Sequence, residues 1–270
     1  MKLVLLSGWA VDARIWRPLA PHWSTDVDVA TPDWPGMGQH PALPVTALDA
    51  DHQALATAMA GELPQDAIWV GWSLGALQAT LLAHRLPSPR GLILLGMGSR
   101  FCHPQGVTEA DLTSFRNAFE RSPDKARRHF LRWQLSGEPS PGNALRLLGE
   151  LVDRNHLHDV DTLASGLEWL ANCDITESLA TLSCPVRHLC GDRDPLLAES
   201  VRHAMDARLA NAGHCPMVSQ PAPLARLIED QARFIEESLQ LADNKSLQLP
   251  GKESLLPSRS SSRKQEEINS

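Results

Sequence analysis

Ile68-Trp69-Val70-Gly71-Trp72-Ser73-Leu74-Gly75-Ala76-Leu77 is the stretch from which the rest of the chain is read. Ala67 to Val70 is a short apolar run suited to a strand buried on both faces. Leu74 to Leu86 carries apolar residues at helical spacing, and Pro87 ends it. Ser73 therefore falls on the turn from strand to helix, inside Gly-x-Ser-x-Gly. A serine on such an elbow is lifted out of the sheet edge in a strained backbone conformation. Gly71 and Gly75 flank it where side chains would hold strand and helix apart. The helix start also directs free N–H groups at the serine. A plain serine N-cap between two glycines is the simpler alternative, and the remainder of the chain weighs against it.

Before this stretch, Leu3 to Leu6 reads as a core strand, followed by the tight loop Ser7-Gly8-Trp9-Ala10. Asp12 is placed to cap a helix through Ile15, Trp16 and Leu19. Val27 to Thr31 is a second apolar strand. Pro32-Asp33-Trp34-Pro35-Gly36-Met37-Gly38 is a loop by its breaker content. Thr46 and Asp49 form a capping-box-like start to a helix ending near Gly61. After it, Leu92 to Leu95 is the next strand. Alternating strand and helix predicts an α/β fold, a mostly parallel sheet flanked by helices. The pattern then breaks. From Ser99 to Asn172 the periodicity is helical, which predicts a cap over the C-terminal edge of the sheet. Alternation resumes with a strand from Pro185 to Cys190, a helix over Glu199 to Ala207, and a last helix from Leu224 to Leu241. The expected organisation is a core over 1–98 and 176–242, a helical cap over 99–175, and a disordered tail over 243–270, rich in Ser, Lys, Glu and Gln.

A chain of 270 residues, 43% hydrophobic, suffices for one sizeable core. A formal net charge of −7 argues against a nucleic-acid binder. The 5 cysteines are scattered and odd in number, without a C-x-x-C pair. That suggests neither a disulfide framework nor a zinc site, and fits reduced thiols in the cytoplasm. No run approaches membrane-spanning length. Met1 to Leu6 reads as a buried strand rather than a signal peptide, since its apolar part is short and no cleavage pattern follows. His156-Leu157-His158, near Asp153 and Asp159, fits no zinc spacing and reads as a solvated loop. Gly36-x-Gly38 lacks the third glycine and the opening helix of a nucleotide fingerprint. No metal and no cofactor are expected.

Serine alone is a poor nucleophile at neutral pH. It needs a base for its proton and a carboxylate to hold that base in one tautomer. Downstream of Ser73, Gly191-Asp192-Arg193-Asp194-Pro195 follows a predicted strand, and Ala212-Gly213-His214 precedes the last helix. Asp194 is the expected acid and His214 the expected base, with Asp192 as the competing acid. The plainer alternatives are a solvated loop aspartate and a surface histidine. The order Ser, acid, His resembles that of the α/β-hydrolase fold. An oxyanion hole needs two backbone N–H donors. Leu74, next to the nucleophile, is one. Trp9, in the loop after the first strand, is the other, although a tryptophan there can also simply pack.

Four stretches carry a closer resemblance: Leu5-Leu6-Ser7-Gly8-Trp9, Ile68 to Gly75, Gly166-Leu167-Glu168-Trp169-Leu170, and Ala212-Gly213-His214-Cys215-Pro216. With Pro32 to Gly38, they resemble the pimeloyl-acyl-carrier-protein methyl ester esterase family of biotin synthesis, over most of the chain to about Leu241. The resemblance implies an α/β-hydrolase with a helical cap. It implies a serine carboxylesterase that works through an acyl-enzyme, without a cofactor, on an acyl carrier protein substrate. Three departures stand out. The family usually has His-Gly-Trp-Gly where this chain has Ser7-Gly8-Trp9-Ala10. Its leading antiparallel strands are not expected here. The stretch from Asp194 to His214 is several residues shorter than in the family.

In the predicted cap, Ser122-Pro123 starts a helix with serine as N-cap and proline at the first helical position. Ala126, Phe130 and Trp133 share one face, and Lys125, Arg128 and Arg132 lie on an adjacent one. Basic residues outnumber acidic ones here, against the sign of the whole chain. A solvated helix face is the plain reading, and docking of an acidic partner is the sharper one. The resemblance implies that Phe115 and Phe130 flank an acyl channel, and that Lys125, Arg128 and Arg132 meet the carrier protein. A monomer acting also on small esters is expected. The alternatives are a short-chain esterase or thioesterase of the same fold, and a non-catalytic binding protein, which would be expected to have lost a triad member.

Overall fold

The sequence predicts five strands, and the sheet has six. The computed structural model describes residues 1–44, 52–152 and 159–248. Lys2–Leu6 (β1), Asp28–Ala30 (β2), Ile68–Trp72 (β3), Gly91–Leu95 (β4), Val186–Gly191 (β5) and Ala207–Leu209 (β6) form one sheet in the order β2-β1-β3-β4-β5-β6. Every neighbouring pair is parallel. β3 and β4 are buried along their whole length, as their unbroken apolar sequences require. β6 lies where the sequence predicts the end of a helix. That helix stops at His203, and a three-residue edge strand centred on exposed Arg208 carries no readable period.

The topology fixes where a site can form. From β1 the chain moves outward to β2, then returns to place β3 on the other side of β1. The strand order thus reverses between β1 and β3, and a crevice opens beyond their C-terminal ends. Leu6 pairs with Gly71, so the loop after β1 stands beside the turn after β3. Leu74–Leu82 (α2) leaves that turn and packs on β1, β3 and β4.

The segment capped by Asp12 is a 3-10 helix over Ala13–His22, not an α-helix. Pro18 and Pro21 lie inside it, and each lacks the N–H that an α-helix would use. Gln53–Met59 (α1) ends before Gly61 as expected, while Thr46 and Asp49 fall outside the described residues. Among the described residues of 99–175 the regular structure is helical: Glu109–Arg121 (α3), Pro123–Trp133 (α4), Pro141–Leu151 (α5) and Val160–Asn172 (α6). Thr108 and Asp111 close α3 with a reciprocal capping box. Ser122 precedes α4, but its hydroxyl makes no cap bond. Its N–H donates to Ala118, ending α3, and Pro123 sets the first helical φ of α4. His156-Leu157-His158 and Asp153 lie outside the described residues, and Asp159 caps α6 through Thr162 N–H.

Thr176–Thr181 (α7), Glu199–His203 (α8) and Pro216–Ser219 (α9) follow, then Pro221–Gln248 (α10). Met1–Glu236 is one compact unit, and the chain from Glu237 is a second. α10 runs past Leu241 to Gln248, so 243–248 is helical where a tail was expected. No helix breaker occurs there before Pro250 and Gly251. Residues 249–270 of the expected tail lie outside the described residues.

Candidate active site

Ser73 has φ 55° and ψ −125°, a region that non-glycine residues rarely occupy. Two contacts hold it there. Its N–H donates to Leu95 O at 2.8 Å, and its carbonyl accepts from Ala76 N at 2.9 Å. The flanking glycines are needed for space. A Cβ on Gly71 would stand 2.5 Å from Ala76 Cα, and one on Gly75 would stand 2.4 Å from Ser7 O. Either would force α2 away from the sheet.

His214 is buried, and its Nδ1 lies 2.7 Å from Asp194 Oδ2. An ionised carboxylate only accepts, so Nδ1–H is the donor and Nε2 carries the lone pair. Asp194 is fully buried, and its other oxygen accepts from Leu196 N at 2.9 Å. Asp192, the competing acid, is half-buried and accepts from Ala212 N at 3.3 Å instead. Of the two carboxylates, Asp194 is the one that meets the imidazole. His214 Nε2 is buried without a hydrogen-bond partner among the described residues. A buried ring nitrogen left without a partner is unusual for a histidine that only supports the fold. Trp72 ties the base to the elbow. Its Nε1–H donates to His214 O at 2.8 Å, and its ring lies 5.3 Å from the imidazole.

Beside Ser73 is the loop after β1. A Cβ on Gly8 would stand 3.0 Å from Ser73 Cβ and 3.1 Å from Trp72 O, so a side chain here would crowd the turn. Among the described residues, no protein acceptor takes the N–H of Trp9 or Leu74. Leu74 is the first residue of α2, where N–H groups have no partner within the helix. Ala10 has φ 65°, and Ser7 Oγ is buried without a partner. The two positions that depart from the resembling motif are therefore the strained one and the unsatisfied one.

The Trp9 side chain faces the helices that follow β4. Its Nε1–H donates to Leu163 O in α6 at 2.8 Å. Phe115, Phe119 and Phe130 meet its ring edge to face, with centroids at 5.7, 5.7 and 5.0 Å. The sequence pairs Phe115 with Phe130. Phe119, one helical turn after Phe115, belongs with them, and its i+4 spacing was the signal for it. The cavity that reaches Leu74 is lined by Gly8, Trp9, Met37, Leu163, Gly166 and Trp169, and holds ≈ 30 Å³. Phe115 and Phe130 line a second apolar void instead, with Trp133 and Leu170. Lys125, Arg128 and Arg132 are exposed on α4. None of them forms an ion pair among the described residues. No cluster of three or more His, Cys, Asp or Glu that could hold a metal occurs among the described residues.

Residues 3–227 match the sequence model of the alpha/beta hydrolase family. A pimeloyl-[acyl-carrier protein] methyl ester esterase of Aromatoleum aromaticum is 32% identical over 249 residues, covering 86% of this chain and 98% of that one. Its namesake from Proteus mirabilis is 31% identical over 86% of this chain and 93% of its own. Among solved structures, a thermophilic esterase from Thermogutta terrifontis aligns with a TM-score of 0.68 at 21% identity, covering 87% of this chain and 90% of that one. A bromoperoxidase from Bacillus anthracis aligns at 0.70 and 15%, covering 84% and 90%. These structural likenesses speak for the fold alone.

Proposed function

The chain belongs to the alpha/beta hydrolase family and, within it, to the pimeloyl-[acyl-carrier protein] methyl ester esterases, and from that premise we propose that it hydrolyses the methyl ester of a carrier-protein-bound acyl chain through an acyl-enzyme on Ser73. The observation that carries this reading is the buried pair of His214 and Asp194 at 2.7 Å, with Nε2 left unpartnered at the strand ends beside the Ser73 elbow. Ser73 Oγ attacks the ester carbonyl as His214 Nε2 takes its proton. Asp194 holds the ring in the tautomer that makes Nε2 the acceptor and stabilises the imidazolium. The N–H groups of Trp9 and Leu74 donate to the oxyanion of the tetrahedral intermediate. His214 then protonates the departing methanol. Water, deprotonated in turn by His214, releases the acid.

The stretch 99–175 acts as the cap. The acyl chain enters between it and the core, along Trp9 and its ring of Phe115, Phe119 and Phe130. The acidic carrier protein docks on Lys125, Arg128 and Arg132. All the residues given a catalytic part lie in one chain, so the chemistry requires no second copy, and a monomer is the reading we adopt. Five free thiols suit a cytoplasmic location.

Ser73→Ala tests the nucleophile. It should keep the fold and lower ester hydrolysis by several orders of magnitude. A fluorophosphonate probe should label Ser73 in the wild type. Labelling of a different serine, or full activity of the variant, would sink the assignment. A small ester cleaved well beside an inert carrier-bound methyl ester would favour the general esterase instead.

A further inference from the structure

Glu138 is a carboxylate that the chemistry above does not use, and it is almost fully buried in the turn between α4 and α5. A buried charge is tolerated only when its oxygens are hydrogen-bonded. Both are. Oε1 accepts from Cys215 N at 2.8 Å, and Oε2 accepts from the Ser219 hydroxyl at 2.5 Å. Cys215 follows His214 directly. The carbonyl of the same peptide unit, His214 O, accepts from Trp72 Nε1 at 2.8 Å. The peptide after the base is thus fixed at both ends, by the elbow strand on one side and by the cap on the other.

The neighbouring residue, Gly137, packs on the backbone of Arg193, the residue before Asp194. A Cβ on Gly137 would stand 2.0 Å from Arg193 O and 3.1 Å from Gly213 Cα. A Cβ on Gly213 would stand 2.8 Å from Glu138 Oε1. One turn of the cap is therefore pressed against both loops, the one before Asp194 and the one carrying His214. Those loops also meet directly, through Arg193 N and Ala212 O at 2.9 Å. Asp194 and His214 are 20 residues apart along the chain. A short connection has less structure of its own with which to set the ring's position.

We propose that Glu138 is a positioning residue for the base: by accepting the Cys215 N–H, opposite Trp72 on the His214 carbonyl, it fixes the backbone that carries the imidazole and so couples the seating of the cap to the alignment of His214 with Asp194. The inference rests on His214 being the base of Ser73. Misplacing a catalytic group by about 1 Å costs on the order of 100-fold in rate.

The test compares Glu138→Gln, which keeps an oxygen acceptor, with Glu138→Met, which fills similar space and accepts poorly. The full chain is used throughout, with a small p-nitrophenyl ester as substrate. Glu138→Met should lower kcat by roughly 30- to 100-fold with KM within about twofold. The rate of fluorophosphonate labelling at Ser73 should fall in parallel. The downfield proton resonance of His214 Nδ1–H should broaden or shift. Glu138→Gln should recover kcat to within about threefold of wild type and restore the resonance. Ser219→Ala, which removes one anchor of the carboxylate, should lower kcat by about threefold and serves if the methionine variant does not fold. Wild-type kcat and resonance in Glu138→Met overturn the inference, as does a glutamine variant no better than methionine. If Glu138→Met does not fold, unchanged kcat in Ser219→Ala overturns it. Ser73→Ala, assayed alongside, separates the two failures. If that variant stays active, the underlying assignment of the nucleophile fails. If it is inactive while Glu138→Met is wild-type, only the role of Glu138 falls.

Discussion

Two aspartates stand two positions apart after β5, and only one reaches the imidazole. If the tautomer argument applies, Asp194→Asn should lower kcat by about 10⁴. Asp192→Asn keeps an oxygen that accepts the long bond from Ala212 N–H, and should cost far less. The reverse ranking in steady-state kinetics would mean that the acid is misassigned. Ala10 gives a second test at this scale. It occupies φ 65°, which costs an L-residue roughly 1–2 kcal/mol relative to ordinary helical backbone. Glycine bears no such penalty but loses more entropy on folding. Ala10→Gly should therefore raise stability by about 0.5–1 kcal/mol, read as a rise in the denaturant midpoint at unchanged slope. An unchanged or lower midpoint would show that the loop tolerates alanine without strain. The cysteines differ by burial. Desolvation pushes the Cys190 thiol up to about 12, and Cys215 is raised well above the usual thiol range. Both should resist iodoacetamide at neutral pH, although Cys215 adjoins His214. Mass spectrometry of the modified protein would show it.

α4 presents two faces with separate duties. Ala126 and Phe130 are buried inward, while Lys125, Arg128 and Arg132 stay exposed. Exposed charges act chiefly on encounter rate and are screened over about 8 Å at physiological salt. Added salt should therefore lower kcat/KM on a carrier-bound methyl ester and leave a p-nitrophenyl ester nearly unaffected. Reversing all three charges should reproduce the salt effect. Equal loss on both substrates would indicate a damaged site, and loss on neither would reduce the face to a solvated one. At the other end of the cap, Asp174 precedes α7 and accepts from the Thr176 hydroxyl and N–H, at 2.6 and 2.9 Å. Those bonds, with the Arg100 guanidinium, lower its carboxyl to about 2. A depressed carboxylate stabilises the fold fully above its unfolded value near 3.8, and that contribution fades as pH falls through about 2. Carbon NMR of Asp174 should show a midpoint near there. Arg100→Ala should raise it only partway, because the Thr176 bonds come first.

Among the described residues of Met1–Glu236, little space is open beside the Ser73 turn. The cavity beside Leu74 holds ≈ 30 Å³, against several hundred for a typical small-molecule pocket. No extended acyl chain fits unless α6 and the core separate. A long-chain alkyl phosphonate bound at Ser73 should therefore change amide hydrogen exchange across α6 and the Trp9 cluster, and a methyl phosphonate should not. Identical exchange with both would show that the chain enters elsewhere. The reversal of strand order between β1 and β3 explains why all of this assembles at one place. The N–H of Trp9, the Ser73 elbow and the helix start of α2 come from adjacent strand ends, and β5 and the loop after β6 bring Asp194 and His214 to the same edge.

The sequence by itself determined the alternation of strand and helix, the elbow at Ser73, the helical stretch over 99–175 and the candidates Asp194 and His214. Each is a local signal: an apolar period, a breaker, or two glycines around a serine. It missed β6, whose three residues have no period, and it placed a helix after Asp12 without its type, which the two prolines in Ala13–His22 decide. It favoured Asp194 as the acid and kept Asp192 as a competitor, because residues two apart in a loop differ chiefly in where the chain turns them. Only the tertiary structure shows that Asp194 is the one that meets the imidazole, adds Phe119 to the Trp9 cluster, and reveals Glu138 beside His214. Glu138 lies 77 residues from the Cys215 N–H it accepts. No periodicity records a contact across that separation, since what brings the two groups together is the packing of the cap against the strand ends rather than anything in the residues on either side.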